Sequence, residues 1–300
     1  MNRIPYTLLT LLATSLMGSS FAVGKLGLPW LSPLLLVGLR FTLAGGLMAL
    51  WVRRRKLPLP AGLPDWGRLT LIGCLQTAGV MGCIFLSLQT ITAGESSILT
   101  FLNPLLVVVL GTLFMGWRYR PVQWLGVLTG FAGVAVTLGG GLRLETGTLL
   151  GLGSAFSWAA ATLLVKAWGA RFHTWVLTAY QMLFGGLVLL GLSLLAETPK
   201  LHWNAVSVGV LLYLALLGSI VQFAAWYYLL SQGDPGRTSA FLFLAPFFGV
   251  LSGWLLLGEE VTGYTAAGGV LIFAGIFLVN WTFGDAGQRG GAAAGEQRRS

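Results

Sequence analysis

The stretch that decides the fold, residues 33–52, reads PLLLVGLRFTLAGGLMALWV. Arg40 is its only charge, and about twenty apolar residues are enough for a helix to cross roughly 30 Å of hydrocarbon. The stretch runs directly into Arg53-Arg54-Arg55-Lys56, and a basic cluster of this kind is typical of the cytoplasmic end of a membrane span. The sequence here therefore predicts a transmembrane helix that ends on the cytoplasmic side.

Similar apolar runs fill most of the chain. Of its 300 residues, 56% are hydrophobic and 9% are charged, whereas about 25% are charged in an ordinary soluble domain. A soluble fold of this size could not bury so much apolar surface, and the runs lack the alternation of an outer-membrane barrel. We therefore expect an all-α integral membrane protein with ten transmembrane helices. The expected spans are 5–26, 32–52, 67–88, 94–115, 121–139, 147–168, 174–195, 205–229, 236–257 and 263–283.

The distribution of Lys and Arg predicts the orientation. Of these 18 residues, fourteen lie on the side of the N-terminus, three lie on the opposite side, and Arg40 lies within a span. Because short cytoplasmic loops carry the excess of positive charge, we expect both termini in the cytoplasm and a multi-pass protein of the bacterial inner (plasma) membrane. The basic residues are scattered over short loops, which argues against nucleic acid as a partner. The Gly-, Ala- and Arg-rich tail, 284–300, is expected to be a disordered cytoplasmic segment.

The two halves of the sequence align with an offset of 141 or 142 residues. Lys25 falls on Lys166, and Pro104 falls on Pro246. Five spans per copy is an odd number, so the second copy enters the membrane from the opposite side. We therefore expect two inverted five-helix repeats, 1–144 and 145–283. Inverted repeats are a common plan of secondary transporters; duplication without transport is the alternative.

Short motifs in equivalent spans carry a family resemblance. The chain resembles the drug/metabolite transporter (DMT) superfamily, and within it the EamA-type ten-helix exporters. The motifs are Gly18-Ser19-Ser20-Phe21 with Lys25, Leu39-Arg40-Phe41, Asn103-Pro104-Leu105, Trp158-Ala159, and Leu255-Leu256-Leu257-Gly258-Glu259.

One position departs from the family pattern. The family usually has Gly-Glu-Arg after the fourth span, whereas this chain has Gly116-Trp117-Arg118. Only the second copy keeps the acid, at Glu259. A role that requires both acids is therefore not expected in this chain.

The sequence contains no recognisable catalytic or metal-binding constellation. Residues 18–25 resemble a phosphate loop only loosely, because Leu26 stands where Ser or Thr is required. His173 and His202 fall at opposite ends of the spans. We therefore expect no cofactor, no bound metal and no enzymatic activity.

The fourth span carries a polar stripe. Ser96, Thr100 and Asn103 recur at i, i+4 and i+7, so they share one helix face. Pro104 has no N–H and leaves the carbonyl of Thr100 without its usual helical donor. Asn103 and Thr100 are therefore candidate substrate contacts, although polar stripes also serve helix packing.

Three further side chains complete the candidate site. Gln76 and Trp158 lie mid-span, and Gln222 lies in the eighth span. Trp158 offers a flat apolar wall, although a single mid-span Trp commonly just fills a core. The family resemblance implies that helices one, three, four, six, eight and nine surround the cavity, which would admit Gln76, Asn103, Trp158 and Gln222.

Arg40 is a charge well inside a span, and such a charge marks a functional site unless it is satisfied structurally. We favour a structural role, in which Arg40 either extends toward the outer interface or pairs with Glu95. Glu95 itself is expected at the interface as an ordinary solvated carboxylate.

These observations predict a secondary transporter working by alternating access. The resemblance implies that it exports a small polar metabolite such as an amino acid. A passive channel or facilitator is the main alternative, and an intramembrane enzyme is a weaker one. Proton coupling is left open, since no acid lies mid-span. The expected partners are the small-molecule substrate and the lipid bilayer, with a homodimer also left open.

Overall fold

The computed structural model describes residues 3–137, 145–232, 242 and 244–281. The expected tail 284–300, the junction of the two repeats at 138–144, and the first part of the expected span 236–257 lie outside these residues. Within the described parts, the regular structure is helical.

Thirteen α-helices are numbered here in chain order. Two π-helical segments, Cys74–Gly79 and Tyr213–Val221, join α3 to α4 and α10 to α11. The helices are α1 Arg3–Gly27, α2 Pro33–Arg54, α3 Leu63–Gly73, α4 Val80–Ser87, α5 Ala93–Thr100, α6 Asn103–Met115, α7 Pro121–Thr137, α8 Thr146–Trp168, α9 Thr174–Ala196, α10 Ala205–Leu212, α11 Gln222–Gln232, α12 Leu244–Leu257 and α13 Gly263–Trp281.

Helix length and composition bear directly on the membrane prediction. Taking directly joined segments together, seven described stretches are long and apolar enough to cross a membrane. Three shorter apolar helices lie at Pro121–Thr137, Leu244–Leu257 and Gly263–Val279. The ten expected spans each overlap one of these ten stretches. An all-helical, multi-pass membrane protein is confirmed, whereas the count of ten crossings stays a prediction.

The fourth expected span is interrupted. The sequence predicted one helix over 94–115, but α5 ends at Thr100 and α6 begins at Asn103. Pro104 lies in the first turn of α6, where its missing N–H costs no helical hydrogen bond. The proline therefore restarts the helix next to Asn103.

Helices α2 and α9 pack closely and antiparallel. A Cβ on Gly45 would meet the backbone of Leu183, and one on Gly186 would meet the backbone of Thr42. Adding 141 to the position of Gly45 gives Gly186, and subtracting 141 from that of Leu183 gives Thr42, so the offset between the halves converts one contact into the other. The two helices thus exchange equivalent contacts, as two inverted copies would.

Helices α7 and α13 repeat this pattern. Gly126 lies against the backbone of Gly275, and Gly133 lies against that of Gly268. Adding 142 to the position of Gly126 gives Gly268, and subtracting 142 from that of Gly275 gives Gly133, so one contact becomes the other. Glycine is required here because the helix backbones approach too closely for a side chain.

We name the two ends of the bundle after a residue at each. The Lys25 end holds the turns that follow α1, α4, α9 and α12. The Arg53 end holds those that follow α2, α6 and α8.

Candidate substrate cavity

Two adjoining cavities lie at the centre of the bundle. The larger has a volume of about 360 Å³ and reaches toward the Arg53 end, where Val165 and Leu177 line it. The smaller, of about 60 Å³, lies on the Lys25 side, beside Ile84 and Phe85. The cavities adjoin, since they share five lining residues. The shared residues are Met17, Gln76, Trp158, Gln222 and Phe223.

The five residues expected to contact substrate all border these cavities. Gln76, Trp158 and Gln222 line both. Thr100 lines the smaller cavity and Asn103 the larger one. The fold thus brings together residues from five different helical segments. Their role in binding stays a prediction.

Three amide side chains in the cavity lining have no recorded hydrogen-bond partner of their own. For Gln76, Asn103 and Gln222, the structure records no side-chain hydrogen bond to any described residue. Asn103 and Gln222 are nevertheless buried, at 8% and 5% exposure. Buried amides are normally paired, so these groups are available to a molecule in the cavity.

Local backbone geometry places the two glutamines. Gln76 lies within the π-helical segment Cys74–Gly79, and Gln222 directly follows the second one. A π-helical turn inserts an extra residue, which changes the direction of the side chains beyond it, and such turns occur frequently at functional sites.

Trp158 belongs to an aromatic wall. Its ring meets that of Phe101 edge-on, with centroids 5.4 Å apart, and Phe101 lies 6.4 Å from Phe21. Aromatic pairs at these separations prefer such tilted arrangements. All three rings line the smaller cavity, and Trp158 lines the larger one as well.

The hydroxyl of Thr100 already has a hydrogen-bond partner within the protein. Its hydroxyl lies 2.7 Å from that of Ser154, which joins α5 to α8. Thr100 therefore contributes mainly its methyl group to the smaller cavity. This contrasts with Asn103, three residues further on.

The prediction that Arg40 extends to the outer interface or pairs with Glu95 is wrong. Its guanidinium donates from Nε to the hydroxyl of Ser219, at 3.0 Å, and from Nη2 to the carbonyl of Gly218, at 2.7 Å. Arg40 is 3% exposed and lines the smaller cavity. It neither extends to the interface nor pairs with Glu95, because the second π-helical segment lies directly opposite it.

Glu95 has a different role from the expected one. Its carboxylate accepts from the backbone N–H of Thr92, at 3.1 Å, while its own N–H donates to the Thr92 hydroxyl. This reciprocal pair is a capping box, which satisfies two free N–H groups at the start of α5. Glu95 stabilises the helix start and does not reach the cavity.

The Arg40 contact has an uncharged counterpart in the other half. The hydroxyl of Thr77 donates to the side-chain oxygen of Gln181, at 2.8 Å. Gln181 is equivalent to Arg40, and Thr77 to Ser219, under the offset between the halves. The polar contact is thus kept in both copies, but only one copy carries a charge.

At the Lys25 end, one ion pair joins the halves. The ammonium of Lys25 lies 2.8 Å from a carboxylate oxygen of Glu259 and donates to the carbonyl of Ile91. The same carboxylate accepts from the backbone N–H of Ala93, the first residue of α5. We call these four residues the Lys25 clasp. A carboxylate at a helix N-terminus is stabilised by the helix dipole as well.

A second acid strengthens this end. Glu197 accepts from the backbone N–H groups of Leu34 and Leu35, at the start of α2. Beside it, Leu31 and Leu201 form an isolated antiparallel bridge between loops of the two halves. Glu197 was not predicted from the sequence, because nothing local links it to α2. For Glu259, the Gly-Glu motif was the available signal.

Among the described residues, the Arg53 end has no equivalent acid cap. Under the offset of 141 or 142 between the halves, Glu197 aligns with Lys56 or Arg55, and Glu259 aligns with Trp117. Trp117 packs instead against an apolar cluster that contains Leu110 and Leu163. Within the described residues, the two ends therefore differ in chemistry: carboxylates join helices at the Lys25 end, and apolar packing surrounds Trp117 at the Arg53 end.

The helix ends that position these two residues are nonetheless alike. Gly116 and Gly258 each have a φ of 65°, in the left-handed region that favours glycine. The next N–H, of Trp117 or Glu259, bonds back to Gly111 or Gly253 respectively. The backbone is conserved between copies and only the side chain differs.

Among the described residues, no group of three or more His, Cys, Asp or Glu is placed to hold a metal ion. The described lining of the two central cavities also contains no carboxylate. The polar chemistry of the cavity thus consists of amides, hydroxyls and the Arg40 guanidinium.

The comparisons with known proteins agree with this architecture. A crystal structure superposes with a TM-score of 0.64 at 24% identity, over 92% of this chain and 97% of the other. The chain is 31% identical to the uncharacterized transporter YvbV of Bacillus subtilis, over 93% of this chain and 94% of that protein. It is 30% identical to an uncharacterized transporter of Archaeoglobus fulgidus, over 90% and 96%.

A further relative has a more specific name. A Salmonella typhimurium protein named "Probable amino-acid metabolite efflux pump" is 30% identical, over 90% of this chain and 93% of that protein. The model of the EamA-like transporter family matches twice, at residues 4–139 and 145–281. The chain therefore belongs to the EamA-like transporter family, within the drug/metabolite transporter superfamily.

Proposed function

We propose that this protein is a secondary transporter that exports a small metabolite across the bacterial inner membrane by alternating access. In this proposal, ten spans form two inverted five-helix repeats, 1–144 and 145–283, with both termini in the cytoplasm. The Lys25 end then faces outward and the Arg53 end faces the cytoplasm.

The observation that carries the proposal is a set of three amides around a central cavity, none of which has a side-chain hydrogen bond to a described residue. Ligand cavities combine apolar walls with a few polar groups that fix orientation. Here Gln76, Asn103 and Gln222 supply the polar groups, and Trp158 with Phe101 supplies the wall. A volume of about 360 Å³ suits a small organic solute.

The difference between the two ends supports alternating access. The Lys25 clasp and Glu197 hold the outer end shut, while the larger cavity extends toward the cytoplasmic end. Solute would enter from the cytoplasm, and release would require the clasp to break. Export is the direction suggested by the name of the Salmonella relative, which also suggests an amino-acid-like solute.

The cavity chemistry favours transport down the gradient of the substrate itself. A proton-coupled carrier commonly uses an acid or His within the membrane, and the described cavity lining contains neither. Uptake into proteoliposomes across a panel of amino acids and organic acids tests this. We expect saturable uptake whose rate does not change when a pH gradient is imposed. Absence of saturation for every solute would contradict the carrier proposal.

Orientation can be tested by cysteine labelling. In a variant with Cys74 and Cys83 replaced, single cysteines are introduced at positions 60, 200 and 290. We expect an impermeant thiol reagent to reach position 200 only from outside, and positions 60 and 290 only from the cytoplasm, because fourteen Lys and Arg lie on that side. Outside-only labelling at position 290 would contradict the ten-span topology.

A further inference from the structure

We infer the chemical class of the substrate: a small carboxylate with an apolar, preferably aromatic body and no ammonium group, whose negative charge is balanced by Arg40. This inference rests on the proposed transport function, and it replaces the amino-acid-like solute suggested by the name of the Salmonella relative with a carboxylate that lacks an ammonium group. It also gives Arg40 a binding role in addition to the structural one expected from the sequence.

Arg40 carries a buried positive charge whose hydrogen-bond donors are only partly used. A guanidinium carries five N–H donors, and the structure uses two of them, toward Ser219 and Gly218. Both acceptors are uncharged. Among the described residues, the ion pairs are Lys25–Glu259 and Arg68–Asp65, and neither involves Arg40. The buried cation therefore keeps donors for an anion that the described protein does not provide.

Partial compensation comes from one ring. The guanidinium carbon of Arg40 lies 4.6 Å from the centroid of the Phe41 ring. A cation–π contact stabilises the charge but leaves its sign uncompensated. A carboxylate would pair with the guanidinium through two parallel hydrogen bonds, the geometry that arginine favours.

The charged groups in the cavity lining determine which charge a substrate can carry. Its described lining contains Arg40 as a cation and no carboxylate. An ammonium group would be repelled by Arg40 and would find no opposite charge there. The cavity therefore discriminates against amines, and the ammonium of an amino acid weakens binding.

The shape of the cavity suits a carboxylate with an apolar body. Arg40 borders the smaller cavity, whose volume of about 60 Å³ exceeds the roughly 10–15 Å³ that one water needs. This space accommodates a carboxylate. The larger cavity continues past Trp158 and offers apolar walls for the body of the substrate. Gln76 and Gln222 also line the smaller cavity, which places two further amide donors around the space that Arg40 borders.

Four matched probes test the inference on the purified full-length protein in detergent. They are 3-phenylpropanoate, phenylalanine, 3-phenylpropanamide and 2-phenylethylamine, which share a phenyl ring and differ in charge. We expect 3-phenylpropanoate to bind tightest, with at least about 10-fold weaker binding for the amide and for phenylalanine, and the weakest binding for the amine. Equal binding of the four, preference for phenylalanine or the amine, or binding of none would contradict the inference.

Variants assign the preference to Arg40. In Arg40→Gln, the affinity ratio of 3-phenylpropanoate to 3-phenylpropanamide should fall to about one, whereas Arg40→Lys, which keeps the charge but not the bidentate geometry, should give a ratio between those of Arg40→Gln and the wild type. Arg54→Gln, which removes an exposed cation from the same helix, should leave the ratio unchanged. A ratio measured on folded protein is insensitive to yield. If Arg40→Gln does not fold, the Arg40→Lys ratio and the wild-type ranking still decide.

The outcome is distinguishable from failure of the transport proposal. Saturable uptake of some solute with a carboxylate-to-amide ratio near one would leave the transporter standing and overturn the substrate class. A strong carboxylate preference in binding, without any transport in proteoliposomes, would support the substrate class and overturn the transport proposal.

Discussion

Glu259→Gln should open the Lys25 end of the protein. The substitution keeps the shape of the side chain but removes the charge that holds Lys25 and the start of α5 together. A hydrogen bond to a charged group contributes about 1.5–3 kcal/mol. Its loss should therefore raise the population that is open at this end by roughly 10- to 150-fold.

Accessibility of a single cysteine measures this change. Met81→Cys places a thiol in the smaller cavity, in a variant with Cys74 and Cys83 replaced. An impermeant thiol reagent added on the Lys25 side should label it faster when Glu259→Gln is also present. The matched control is Glu260→Gln, which neutralises the adjacent exposed acid. Equal labelling rates in the two variants would show that the clasp does not close this end.

Trp158→Ala and Asn103→Ala should each weaken substrate affinity with little effect on folding. Trp158 supplies an apolar wall shared by both cavities, and Asn103 supplies an amide in the larger one. If each contact contributes about 1–3 kcal/mol, the apparent affinity should fall roughly 5- to 150-fold. Concentration-dependent uptake by proteoliposomes measures this, normalised to monodisperse protein.

The control is Trp254→Ala, which removes a tryptophan that is 56% exposed on the outside of the bundle. Its uptake parameters should match those of the wild type. Unchanged apparent affinity in both cavity variants, or a defect explained entirely by lost protein, would mean that Trp158 and Asn103 only pack the core.

The membrane character was predictable because it depends on local properties. An apolar run such as 33–52 specifies a helix that crosses lipid, whatever its neighbours are. The depth of Gln76, Trp158 and Gln222 followed from the same runs, since position along a span gives depth in the bundle. Their meeting around one cavity depended on the family resemblance.

Long-range partners were not predictable. Arg40 bonds to residues almost 180 positions away, one of them through a backbone carbonyl that no sequence pattern marks. Glu197 caps α2 across a comparable separation. The interruption after Thr100 was foreshadowed by Pro104, but a proline in a membrane helix can also be tolerated without a break.

The asymmetry between the two ends suggests how the halves have diverged. Glu259 accepts from the N–H of Ala93, and the offset places Pro235, which has no N–H, opposite Ala93. The second copy thus has no donor at this position, and Trp117 stands in the first copy where the second has the acceptor. Loss of both partners is the pattern expected when one closure no longer uses a carboxylate.

Counterflow in proteoliposomes tests alternating access most directly. Vesicles are loaded with an excess of an unlabelled solute that shows saturable uptake, and diluted into a trace of the same solute carrying a radioactive label. A carrier predicts transient accumulation of label above its equilibrium level, because outward movement of unlabelled solute returns the empty site to the label. The overshoot should shrink in Trp158→Ala. Smooth equilibration without an overshoot, for every solute that crosses, would contradict the account and indicate a channel.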